Sequence, residues 1–204
     1  MASYFSYFPK VLYDLAGDLQ SPSAQVVTNI TKRVAFIKDL QSQANLYYAY
    51  TIKDIDTPEN IADRYYGDPQ YFWLVLLFNT ILDPELDWPK NENVLYQYMV
   101  EKYGQSNLNT VHHYTKTVVS VDSNSGATTT FSYEIDLATF TQQGSEFQVI
   151  TAADGSSISL TTTVQQVSNY DYETTVNEKK RQINILKKDY VGQVVSNLQA
   201  VMSA

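Results

Sequence analysis

Cysteine is absent from all 204 residues, which removes disulfide staples, thiolate metal centres and thiol redox chemistry. Basic charge is scarce. Fourteen lysines and arginines face 22 aspartates and glutamates, a formal charge of −8 and a pI near 4.6. A grip on nucleic acid needs a basic face that releases counterions from phosphates, and an anionic membrane surface makes the same demand, so neither partner is expected. The longest apolar stretch, around Tyr71 to Phe78, falls far short of the roughly 18–20 residues of a spanning helix. The opening MASYFSYFPK lacks the basic-then-apolar order of an export signal. With the missing thiols, this fits synthesis and assembly in a reducing cytoplasm.

Catalytic signatures are missing too. No H-E-x-x-H, G-x-S-x-G, P-loop or Rossmann glycine pattern occurs. His112 and His113 are adjacent, and neighbours on an extended segment point to opposite faces, so they make a poor two-ligand metal site, one expected buried and the other exposed. Asp83, Glu85 and Asp87 beside Trp88 could formally serve a glycosidase with two carboxylates. Asp83 and Asp87 are more simply turn and cap residues around Pro84. No catalytic residue, cofactor or metal is assigned, and the chain is not expected to be an enzyme.

What the chain has in excess is tyrosine, 17 in all, clustered at Tyr4-Phe5-x-Tyr7-Phe8, Tyr47-Tyr48-x-Tyr50, Tyr65-Tyr66 and Tyr96-x-Tyr98. Rigid rings with a polar tip suit both cores and interfaces. Terminal residues fray unless tied down, and an aromatic tip in water invites association, so Tyr4, Phe5, Tyr7 and Phe8 are expected to dock on a neighbour.

The densest signal lies between Tyr50 and Pro89. Thr57 can cap a helix that starts at Pro58, Ile61, Ala62 and Tyr65 share a face, and Gly67 suits a left-handed terminus. Asp68-Pro69 repeats the start. The helix that follows, to about Asn79, is apolar almost all round and must be buried on more than one side. Tyr50-x-Ile52, Asp56-Thr57, Ile61-Ala62, Tyr66-Gly67, Asn79-x-Ile81 and Pro84 together resemble the LysM module, a strand-helix-helix-strand unit of the kind that binds N-acetylglucosamine polymers. Ile52, Ile61, Ala62, Tyr66, Gly67, Trp73, Leu76, Asn79, Pro84 and Trp88 are its expected core. Two places depart from the module. Ile55 stands where a glycine is usual, and Asp87-Trp88-Pro89 replaces the second strand.

The runs NITKRVAFIKDL, DPELDWP, EKYG and NEKKRQINIL, in that order, extend the resemblance to the small LysM-containing baseplate wedge subunits of T-even-type contractile-tailed phages. That resemblance implies a virion protein of the tail baseplate, assembled in the host cytoplasm and present in multiple copies. It implies partners among other baseplate wedge proteins and neighbouring wedges, with hub and tail-tube proteins within reach. The function it implies is a protein-protein clamp joining wedge subunits around the hub. A peptidoglycan-binding LysM module and a muralytic enzyme are the alternatives.

The expected fold is α+β in four parts. Residues 1–46 hold the aromatic arm, a polar turn at Ser21-Pro22-Ser23 and an amphipathic helix with Ile30, Val34, Ile37, Leu40 and Ala44 on one stripe. Residues 47–104 form the LysM-like module with a helical extension. Residues 105–168, rich in Thr, Ser and Val, form a β-hairpin-rich insert, clearest at FQVITAADGSSISLTTT with its Asp154-Gly155 turn. Residues 169–204 are expected as one long amphipathic helix, with Val176, Ile183, Leu186, Tyr190, Val194, Leu198 and Val201 on one stripe. Lys179, Arg181, Ile183, Leu186 and Tyr190 are its candidate interface residues.

Overall fold

The computed structural model describes residues 4–14, 17, 24–32 and 44–203. They form two compact units: residues 1–91 with 178–204, and residues 92–177, which are inserted between the halves of the first.

The first unit opens with a short 3-10 turn, Tyr4–Tyr7, and a hairpin of β1 (Lys10–Tyr13) and β2 (Gln25–Thr28). Val34, Ile37 and Leu40 of the expected amphipathic stripe, and the Ser21-Pro22-Ser23 turn, lie outside the described residues. Ile30 sits in a turn after β2, and Ala44 begins a 3-10 turn, Ala44–Leu46. β3 (Tyr47–Thr51) then leads into α1 (Pro58–Tyr66).

Each end of α1 has a local cause. The Thr57 hydroxyl accepts from the Asn60 N–H, Pro58 takes the first helical position, and Gly67 closes the helix at φ 79° with its N–H on the Asp63 carbonyl. The Asp68 carboxylate caps the next turn, Pro69–Tyr71, which runs into α2 (Phe72–Phe78). α3 (Pro84–Asp87) follows, capped by Asp83.

The chain returns to this unit after the insert as β8 (Gln182–Leu186) and α7 (Lys188–Ser203). Here the structure corrects the expected single C-terminal helix. α6 (Asn169–Lys179) ends at a turn, and the next residues form a strand antiparallel to β3, with Tyr47 opposite Leu186 and Thr51 opposite Gln182. Ile183 and Ile185 alternate as a strand requires, while Ile183 and Leu186 also satisfy a helical spacing, so periodicity alone could not separate the two. The backbone decides: without β8, the N–H and C=O groups of β3 would have no ladder partner. The core gathers Phe8, Ile52, Ile61, Trp73, Leu74, Val75, Phe78, Ile183, Ile185, Leu198 and Met202.

The second unit begins with α4 (Glu92–Tyr103), which Gly104 ends at φ 80°. β4 (Val111–Asp122) and β5 (Thr128–Ile135) form a hairpin, α5 (Leu137–Gln142) crosses over, β6 (Glu146–Thr151) and β7 (Ser157–Ser168) form a second hairpin, and α6 closes the unit. The sheet order is β5-β4-β7-β6, antiparallel throughout. A small core of Leu95, Met99 and Leu108 lies in the helical part. The sheet has no comparable buried cluster among the described residues.

Candidate functional site

Three loops of the first unit meet at the segment from Ile52 to Asp56. The Asp56 carboxylate, with 0% of the side chain exposed, accepts from the Tyr50 hydroxyl at 2.6 Å, the Lys53 backbone N–H at 2.9 Å and Arg64 Nη2 at 3.1 Å. Burial opposes its charge, but those three donors outweigh it and hold the carboxyl below the ordinary aspartate range. The Trp88 indole N–H donates to the Asp56 carbonyl at 3.2 Å, tying the segment after α3 to this loop. From the turn before β8, Arg181 donates to Asp54 at 2.6 Å and to the Ile52 carbonyl at 3.2 Å. Lys180 reaches the Leu86 carbonyl at 2.6 Å.

These bonds hold three loops in fixed register, and the loops turn large aliphatic groups outward. Ile55 is 78% exposed, Leu82 is 80% exposed and Leu86 is also exposed. None of the three was singled out from the sequence as an interface residue. Ile55 drew notice only as a departure from the usual glycine, and that was the available signal: a large apolar residue in a turn whose neighbours, Asp54 and Asp56, are fixed. The acidic residues here are structural. Asp83 caps α3 through the Glu85 and Leu86 N–H groups, and Asp87 accepts from the Leu82 and Asp83 N–H groups.

The aromatic lead folds onto this chain. Tyr4 stacks on Trp73 with ring centroids 5.1 Å apart, Tyr7 meets the same indole edge-on at 6.3 Å, and Phe8 is buried in the core. The expectation that this cluster docks on a neighbour is corrected for Phe8, which the chain's own core takes out of water, whereas Tyr4 and Tyr7 are only half-buried against Trp73. Phe5 remains exposed. A similar correction applies at the other end. Ile183 and Leu186 are core residues and Tyr190 is half-buried against them, while Arg181 is engaged with Asp54 and Glu178. Lys179 is exposed.

Of the expected module core, Ile52, Ile61, Ala62, Tyr66 and Trp73 are buried, whereas Leu76, Asn79 and Trp88 are half-buried. Gly67 is exposed at its helix terminus. Pro84 is also exposed, a correction that follows from its role: it starts α3 and fills no core site. Asn79 contributes polar bonds, donating to the Val75 and Asn184 carbonyls and accepting from the Asn184 N–H, each at 2.8 Å.

In the second unit the expectation for the histidines fails. A register shift between Val111 and His113 breaks the strict alternation, so the two rings face each other with Nδ1 atoms 2.8 Å apart, and His112 stacks on Tyr172 at 3.9 Å. Nearby, Glu173 accepts from Lys102 at 2.6 Å and Tyr103 at 2.7 Å. Its burial works against the charge, but these partners hold its carboxyl below the ordinary range. Among the described residues, no group of three His, Cys, Asp or Glu could hold a metal ion, and no helix is long and apolar enough to cross a membrane. The arrangement offers rigid loops, outward aliphatic groups and neutralised charge, which is the chemistry of a docking surface.

Comparison with known proteins gives this surface a setting. A family model described as "Base plate wedge protein 53" matches residues 3–201. The Baseplate wedge protein gp53 of Enterobacteria phage T4 is 24% identical over 153 residues, which cover 75% of this chain and 72% of that protein.

Proposed function

The chain belongs to the base plate wedge protein 53 family and is a structural subunit of the phage baseplate wedge, and from that premise we propose that it works as a protein-protein clamp built on a LysM-like module. The observation that carries the reading is the family match across residues 3–201, which spans both units.

The LysM-like part of the proposal is supported by element order. β3, α1 and α2 run in sequence as strand, helix and helix, and β8, reached only after the inserted unit, pairs antiparallel with β3 as the closing strand. The second strand is delivered by a segment far along the chain, with the second unit inserted before it. This accounts for Asp87-Trp88-Pro89 standing where a strand was expected. The clamp itself would use the three-loop surface. Ile55, Leu82 and Leu86 present branched aliphatic groups without a stacking aromatic ring among them, which suits an apolar protein side chain. The Asp56 network keeps the loops from relaxing around them, so little ordering cost falls on binding.

Partners of the clamp would be neighbouring wedge proteins, and the site of action the tail baseplate. Gradient fractionation of phage-infected lysate, with mass spectrometry across the fractions, tests this. Migration with baseplates and finished tails at a fixed ratio to other tail proteins is the expected result. A free chain that instead pellets with added peptidoglycan would overturn the clamp and favour a live sugar groove.

A further inference from the structure

We infer that the apolar face of the β5-β4-β7-β6 sheet is an association surface for a second copy of this chain, packed face to face. The pairing register gives its two faces different side chains. On one face lie Phe131 and Tyr133 of β5, Val118 of β4, Leu160 of β7 and, at the hairpin ends, Ile158 and Ile150. The opposite face is mainly threonine and serine, interrupted by Val119 and Val121 of β4 and by Phe147 and Val149 on the β6 edge. A sheet buries one face against another layer, and an open four-stranded sheet without such a layer is marginal in water. Here α5 supplies only a fragment of one. Phe140 packs on Tyr114 at 4.5 Å and Gln143 accepts from Lys116 at 2.8 Å, which covers the Tyr114 end alone. Beyond it Phe131 is 61% exposed, and Tyr133, Ile150 and Ile158 are exposed with it.

Width and charge choose the occupant. Four strands at about 4.8 Å and some seven rows at about 3.3 Å give a footprint of about 400 Å². Side chains standing off the sheet raise its accessible area toward the ~800 Å² that each partner contributes to a stable interface. A single helix, about 10–12 Å across, would leave half of that width open. A second sheet of the same width closes it at the ~10 Å spacing of a sandwich. The chain carries −8 overall, yet on this face Lys116 stands against Glu146 and Asp122 for a net charge of −1, so two copies meet there with little of the chain's overall repulsion. A two-fold arrangement with the strands reversed sets α5 of each copy beyond the β4-β5 turn of the other. The inference stands apart from the wedge reading, since it depends only on this sheet.

Sedimentation velocity of the full chain across the micromolar range tests it. The expected result is a monomer-dimer equilibrium that Phe131→Lys weakens by about tenfold or more, while Thr130→Lys, one residue along on the threonine face, leaves it unchanged. Circular dichroism melts of both variants check that the fold is kept. Because the chain has no cysteine, a second measurement is clean: Thr129→Cys, on the apolar face, should form a covalent dimer with a short bifunctional maleimide, and Thr130→Cys should not. A wild-type chain that stays monomeric throughout overturns the inference, as does a dimer insensitive to Phe131→Lys or cross-linking that is equal on both faces.

Discussion

Asn79 and Asn184 exchange two hydrogen bonds, the Asn79 amide donating to the Asn184 carbonyl and accepting from the Asn184 N–H, each at 2.8 Å. The side chain at the end of α2 thus stands in for a third strand beside β8. It satisfies backbone groups that the two-stranded β3-β8 sheet leaves unpaired. Removing it strands both groups in a half-buried site. Asn79→Ala is expected to cost about 1–3 kcal/mol in urea denaturation. An unchanged midpoint would mean that water replaces the amide without penalty.

Asp56 should set the acid limit of the first unit. Its carboxyl titrates below the ordinary range in the folded chain and near ~3.9 when unfolded. The stability it contributes is therefore present above the unfolded value and is lost as pH falls through the folded one. Asp56→Asn should destabilise the chain at neutral pH by about 1.5–3 kcal/mol, the worth of hydrogen bonds to a charged group. It should also flatten the loss of stability below about pH 4. Denaturation curves at pH 7 and through the acid range measure both effects, and a variant with an unaltered acid limb would remove Asp56 from this role.

Trp73 carries the aromatic lead. Trp73→Ala empties a large core site and removes the platform under Tyr4 and Tyr7, and should cost about 3–5 kcal/mol. The indole N–H is buried without a partner among the described residues, so Trp73→Phe gives up area but also relieves an unsatisfied donor. It should cost much less than the alanine change. Equal losses in thermal melts would show that the N–H is satisfied in solution.

Local chemistry was legible where a single residue controls the backbone. Thr57, Pro58, Gly67 and Asp68 mark the ends of α1 and the start of the next turn through caps that reach only two to four residues. The signal faded where the deciding partner lay far away in the chain. Gln182–Leu186 is a strand because β3, some 130 residues earlier, needs a neighbour, and no helical or strand period within that segment records the fact. The same limit hid the histidine pair, since a register shift belongs to two strands at once. The three-loop surface was hidden for a related reason. Ile55, Leu82 and Leu86 look like ordinary core candidates, and their outward position shows only beside the bonds that fix Asp54, Asp56 and Trp88, which join residues far apart in the chain. The α+β class followed from composition shifts along the chain, which need no long-range knowledge.

The outward position of Ile55 and Leu82 separates folding from assembly in a way that core variants cannot. Both side chains are already in water in the isolated chain, so Ile55→Glu and Leu82→Glu remove no buried contact. Each should shift stability by no more than about 0.5 kcal/mol, as for other surface changes. A carboxylate set into an apolar contact would have to be desolvated without a partner, so the double variant should enter baseplates poorly while melting like the parent. Complementation of a phage lacking the parent gene, with particle yield and gradient position as readouts, measures this against the thermal melt of the purified chain. Normal incorporation of the double variant would move the clamp away from the three loops.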